Sequence, residues 1–176
     1  MNSENLVKDV LEQIRIGKFD EALKKLNKVK KEDSYIYFLK GSVYIYLNKN
    51  DLAEENLKLA AKLNDKNHSI FHNLAILYNS KGDNELAKFN YLKALEINNQ
   101  NIASMCELAA LYMKEKNYDQ SQKYFELALT NDPNHKKANL GLGTLFMKKN
   151  DYKNGYSYIN KATGLIRFTQ EGIKIF

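Results

Sequence analysis

Phe71-His72-Asn73-Leu74-Ala75-Ile76-Leu77-Tyr78 returns 34 residues later as Met105-Cys106-Glu107-Leu108-Ala109-Ala110-Leu111-Tyr112, with a large residue, a Leu, a small residue and a Tyr in the same places. A unit of that length, read as two amphipathic helices and two turns, cannot bury its apolar face alone, so neighbouring units must stack into a solenoid. Such a stack builds a surface rather than a catalytic pocket. The period therefore predicts an all-α solenoid of about five helix-turn-helix units and a binding role.

Working outward from that stretch, Phe71, Leu74, Ala75 and Tyr78 form one apolar stripe at helical spacing, and Gly82-Asp83-Asn84 ends the helix. Leu86, Ala87, Tyr91, Ala94 and Leu95 mark a second helix, which Asn98-Asn99-Gln100-Asn101 breaks. The same frame fits 34–67, 102–135 and 136–169. Small residues recur at Gly41, Ala75, Ala109 and Gly143, where they let the two helices of a hairpin approach closely. Ala75→Leu should therefore be harmful through overpacking. Residues 1–33 hold a looser unit, with Leu6, Val7, Val10, Leu11 and Ile14 but no small/large order, about three residues short before Ser34. It reads as a divergent N-terminal capping repeat, since terminal units present one face to water. At 170–176 comes an apolar tail, in which the alternation of Ile173, Lys174, Ile175 and Phe176 points to an extended strand and to self-association.

Composition narrows the function classes. One Pro and 8 Gly are few for a β-rich chain, and a single cysteine, Cys106, allows no internal disulfide framework, so a reducing cytoplasm is the expected home. The N-terminus lacks an apolar signal core, and no apolar run approaches the roughly 20 residues that span a bilayer. The net charge of +6 arises mainly in residues 136–176, which hold 8 basic and 2 acidic residues. Only 2 of the 27 basic residues are Arg, whereas bidentate recognition of phosphate or guanine favours Arg, so this Lys excess reads as a solvated surface and not a nucleic-acid site.

Taken together, these residues resemble the tetratricopeptide repeat family. Its order of large residue, Leu, small residue and aromatic, then Ala, aromatic, Ala and Pro, is carried by Phe71, Leu74, Ala75, Tyr78, Ala87, Tyr91 and Ala94, and again from Met105 to Pro133. Departures fall at Lys40, where Leu is usual, at Asn139 and Gly155, and at the Pro missing from all units but one. The resemblance implies a right-handed superhelix whose concave groove, lined by the first helix of each unit, holds a partner's peptide or helix. Groove positions would be Tyr35, Phe38, Leu39, Ser42, Ile45 and Tyr46 in one unit and His72, Asn73, Ile76 and Asn79 in the next. Cys106, Glu107 and Met113 follow, then Lys137, Leu140, Thr144 and Lys148. That run passes from aromatic to basic, which fits a partner with an apolar anchor and an acidic end. Family members that clamp a chaperone's C-terminal carboxylate need Lys and Asn where Phe38 and Ser42 stand, and Lys and Arg where Ala103 and Glu107 stand, so that mode is not expected even though Asn73 matches.

Sharper chemistries find less support. His68 and His72 are one turn apart, but no carboxylate or Cys completes a metal set. Cys106 has no neighbouring activating group and reads as a partly buried thiol. Tyr44, Tyr78, Tyr91, Tyr112 and Tyr124 fall on packing stripes, leaving Tyr35 and Tyr46 as exposed anchors. Gly141-Leu142-Gly143 imitates a phosphate loop but lies within a predicted helix. Neither a cofactor nor catalysis is expected. The functional expectation is a cytoplasmic, non-enzymatic scaffold or adaptor for a protein partner, with a recruiting domain at the N-terminus of a larger enzyme as the alternative.

Overall fold

The computed structural model describes the backbone of residues 3–29, 33–169 and 172–175 and the side chains of residues 6–29 and 33–165. Ten helices follow one another: α1 (Ser3–Arg15), α2 (Phe19–Leu26), α3 (Ser34–Tyr46), α4 (Asn50–Leu63), α5 (His68–Ser80), α6 (Asn84–Ile97), α7 (Ile102–Lys114), α8 (Tyr118–Asn131), α9 (Lys136–Lys148) and α10 (Tyr152–Thr163). The helices pair in sequence as antiparallel hairpins, α1 with α2 through α9 with α10. From α3 onward, first helices begin at residues 34, 68, 102 and 136, and second helices at 50, 84, 118 and 152. The chain forms two compact units, Met1–Ile97 and Asn98–Phe176.

Turn chemistry repeats with the helices. The residue before each first helix from α3 on is Asp33, Asn67, Asn101 or His135, and each side chain accepts a hydrogen bond from a backbone N–H in the first turn. Those bonds satisfy N–H groups that the helix itself leaves without partners. Within the hairpins, the first helix closes through a left-handed residue, at Gly17, Asn48, Gly82, Lys116 and Asn150. The next N–H then reaches back five residues, as from Lys49 to Tyr44 and from Asn117 to Tyr112, both 2.9 Å. Asn tolerates that backbone region, and Lys116, with φ 61°, occupies it without that advantage.

The helix crossings confirm the spacing argument. A Cβ on Gly41 would lie 2.6 Å from Leu57 Cγ, and one on Gly143 would lie 2.6 Å from Ile159 Cγ1, so neither crossing has room for a larger residue. Ala75 and Ala109 are fully buried at the equivalent places. Facing them on the second helices are Ala53, Ala87, Ser121 and Gly155, all buried. Large side chains fill the layer beside the crossings: Leu57, Tyr91 and Phe125 recur at one repeat position and are buried. In the first hairpin, Val10, Ala22, Leu23 and Leu26 form one cluster with Ile36, Leu39 and Val43 of α3.

Two departures noted in the sequence are accommodated inside the structure. Lys40 is buried, its stem threading past Tyr37 so that Nζ lies 5.9 Å from the ring centroid. Asn139, at a large-residue position, is also buried, and its amide donates to the carbonyls of Pro133 and His135 at 3.0 and 3.2 Å. Beyond α10, Gly164 with φ 69° stops the helix, and the chain forms an antiparallel hairpin of β1 (Ile166–Thr169) and β2 (Gly172–Ile175), with Ile166 opposite Ile175 and Phe168 opposite Ile173. An extended strand was expected only near 173–176; its partner strand occupies the end of the segment assigned to the last repeat. Phe176 lies outside the described residues.

Candidate functional site

On α3 the residues Tyr35, Phe38, Ser42, Ile45 and Tyr46 fall on one stripe of about 100° at helical spacing, flanking the crossing residue Gly41. Tyr46 is 62% exposed and Tyr35 is 41% exposed, while Phe38, Ser42 and Ile45 are half-buried. Tyr46 lies flat on Phe19 of α2, ring centroids 4.8 Å apart, and Tyr35 sits 6.2 Å from Phe38. These aromatic side chains are held by stacking and offer their outer faces to solvent.

The corresponding stripe of α5 holds His72, Asn73, Ile76 and Asn79, all half-buried. Asn73 Nδ2 donates to Ser42 Oγ at 2.8 Å, and that hydroxyl donates to the Phe38 carbonyl at 2.7 Å. The imidazole of His72 packs at a tilt on Tyr91, 5.7 Å between centroids. Thus the first unit brings α3 and α5 residues together through one hydrogen-bonded chain across the repeat boundary.

Two of the expected groove residues lie elsewhere. Leu39 is 3% exposed because its place at the edge of the stripe turns it toward the first hairpin, where it joins Val10 and Leu26 in the core. Cys106 is fully buried, its Sγ 3.8 Å from His135 Nδ1, and burial pushes its thiol up to about 11. It is neutral at physiological pH and out of reach of a partner.

In the second unit, Glu107, Met113 and Leu140 are half-buried, and Lys137, Thr144 and Lys148 are exposed. The Lys137 ammonium pairs with the Glu107 carboxylate from the neighbouring hairpin. That pair removes one of the positive charges on which the basic expectation rested. Lys114 and Lys148 remain as exposed cations on this face.

Sequence reasoning missed Leu11. It stands 31 residues before Ser42, the offset of the shortened first repeat, and is 41% exposed on α1. Phe19, which carries Tyr46, was missed too. The signal for both is the offset itself, which assigns α1 and α2 the same repeat positions as α3 and α4.

Away from these faces, Glu54 of α4 forms the principal polar joint between hairpins. Lys58 and Lys81 donate to it at 2.7 Å and the Tyr78 hydroxyl at 3.0 Å. The bonds from Lys58 and Lys81 hold its carboxyl down to about 2. This joint is structural, locking α5 onto α4.

Comparison with known proteins agrees with this geometry. The sequence matches the tetratricopeptide repeat over residues 34–67, 68–101 and 102–135. No curated protein matches the sequence. Solved structures of similar fold include MamA, with a TM-score of 0.76 and 18% identity, covering 87% of this chain and 91% of that chain. PilF of Pseudomonas aeruginosa gives a TM-score of 0.84 at 17% identity over 92% of this chain and 75% of its own. PilW, a type IV pilus biogenesis factor, gives 0.82 at 16% identity over 93% and 78%. At these identities the likeness is one of fold. Among the described residues no helix is long and apolar enough to cross a membrane. With three consecutive matches covering more than half of the 176 residues, and with helices, caps and crossings recurring at the same period, the chain belongs to the tetratricopeptide repeat family.

Proposed function

We propose that this protein is a non-enzymatic interaction scaffold that holds a segment of a partner protein on the inner faces of its first helices, and that residues 1–33 form a divergent capping repeat and 136–169 a further repeat of the same array. The observation that carries this reading is the pair of exposed rings, Tyr35 and Tyr46, at positions where a repeat needing only internal packing has no use for a large apolar group. Both rings are braced by neighbours, so little side-chain freedom is lost when a partner covers them. Cys106, buried and neutral, supplies no nucleophile to this face. The single reduced cysteine is compatible with a cytoplasmic setting. The apolar tail residues Ile173 and Ile175 are assigned to self-association.

The test is capture from native lysate by three forms of the full chain: unchanged, Tyr35→Ala with Tyr46→Ala, and Leu86→Ser with Phe89→Ser on the outer face of α6. Retention of partners by the outer-face variant and their loss from the inner-face variant is the expected result. The reverse pattern would assign the function to the outer helices.

A further inference from the structure

We infer that the inner face of α3 and α5 receives an uncharged segment of the partner, anchored by aliphatic or aromatic side chains. The inference rests on the inner-face reading above and narrows it to one chemical class. Charged residues make up 27% of the chain, so a helix of 13 residues carries three or four on average; α3 carries one, Lys40, and α5 carries none. Lys40 is buried on another side of α3, over Tyr37. The inner stripes of both helices therefore lack Asp, Glu, Lys and Arg altogether, while helices elsewhere in the same unit carry both signs.

Two polar side chains of this face, Ser42 and Asn73, are hydrogen-bonded within the protein. Asn73 donates to Ser42, Ser42 donates to the Phe38 carbonyl, and the His72 ring packs on Tyr91. What a partner meets is ring face and aliphatic surface: Tyr35, Phe38, Ile45, Tyr46 and Ile76. A charge pressed against that surface loses its water and finds no counter-charge on α3 or α5, so a neutral apolar segment is favoured there. The second unit is built differently, with the Glu107–Lys137 pair and exposed Lys114 and Lys148 on its corresponding face. Charge selection belongs there.

The experiment is selection from a random dodecapeptide phage library on the full chain, followed by binding of the enriched peptides in solution. The expected peptides carry two or more large apolar residues and no charge between them. Their affinity falls about tenfold or more with Tyr35→Ala and Tyr46→Ala together, and changes less than about twofold between roughly 50 and 500 mM NaCl. Enriched acidic peptides whose binding collapses with salt and with Lys114→Glu and Lys148→Glu, but not with the tyrosine changes, would overturn this inference while leaving inner-face binding intact. Peptides indifferent to both sets of changes and lost with Leu86→Ser and Phe89→Ser would overturn the inner-face reading itself. Absence of any enrichment over an unrelated protein would overturn both.

Discussion

The hairpin α5/α6 and the hairpin α1/α2 follow one plan and differ in what they place where the helices cross. In α5/α6 two alanines, Ala75 and Ala87, meet with no exposed surface, and a full second helix of 14 residues runs past them. In α1/α2 the corresponding pair is Val10 and Ala22, and the second helix has 8 residues. The central crossing is set by the absence of side-chain volume, which tolerates no addition. The terminal one is set by a cluster shared with α3, which adjusts by rotamer and by helix length. The array thus fixes its geometry by close approach at α5/α6 and by a shared apolar cluster at α1/α2.

The largest effect expected from this difference is at the crossing. Ala75→Leu should cost about 3 kcal/mol, from forcing a large side chain into a fully buried crossing, whereas Val10→Leu should cost about 1 kcal/mol. Urea denaturation of the two variants, read against the unchanged chain, measures both; equal losses would remove the contrast between centre and end.

Next comes the polar joint at Glu54. Its carboxyl is lowered from 4.5 to about 2 by the bonds from Lys58 and Lys81, so its contribution is fully present above about pH 4.5 and is lost as pH falls toward 2. Because Lys58 is largely exposed, screening reduces the worth of the joint to about 1–2 kcal/mol. Glu54→Gln should remove that amount at pH 7 and flatten the fall in melting temperature between about pH 5 and pH 3. The first hairpin has its own pair, Lys25 with Asp9 at 2.6 Å, which also lowers the Asp9 carboxyl, but it is open to solvent. Asp9→Asn should therefore be the milder of the two changes, and a melting temperature lowered more by Asp9→Asn would contradict this ranking.

A smaller effect, of opposite sign, is expected in the turns. Lys116 holds a left-handed backbone that glycine occupies at Gly17 and Gly82, so Lys116→Gly should raise stability by about 1 kcal/mol. Asn150→Gly, from a residue that already tolerates the conformation, should raise it by only a few tenths. Thermal melts of the two variants check the order.

A small loss of stability is expected at Tyr46. Removing its ring forfeits one stacked contact with Phe19, about 0.5–1 kcal/mol, because the ring is mostly in water already. A loss above about 3 kcal/mol would show that Tyr46 is a packing residue of the first hairpin and not a surface for a partner.

Much of the fold was legible because its determinants are local and recur: small residues at Gly41, Ala75, Ala109 and Gly143, and turn residues such as Gly82 and the Asn cluster before α7. The candidate site was legible only in part. Helical spacing puts Leu39 on the same stripe as Phe38 and Ser42, and only the position of α1 and α2 decides that it is covered. Cys106 occupies the repeat position of Phe38, yet His135, 29 residues away, closes over it. The pairing of Lys137 with Glu107 depends likewise on how two helices lie side by side. Leu11 and Phe19 escaped because the first repeat is shortened, which breaks the register used to find the others. The β hairpin was only half visible, since Ile166 to Thr169 continues a helical repeat pattern and Gly164 alone marks the break.

The most direct test of the central claim is a backbone amide NMR titration of the full chain with a peptide enriched on it. Shift changes confined to the first helices, strongest around Tyr35, Tyr46 and Ile76 and unchanged by salt, are the predicted result. Changes centred on α4 and α6, around Leu59 and Phe89, would contradict it.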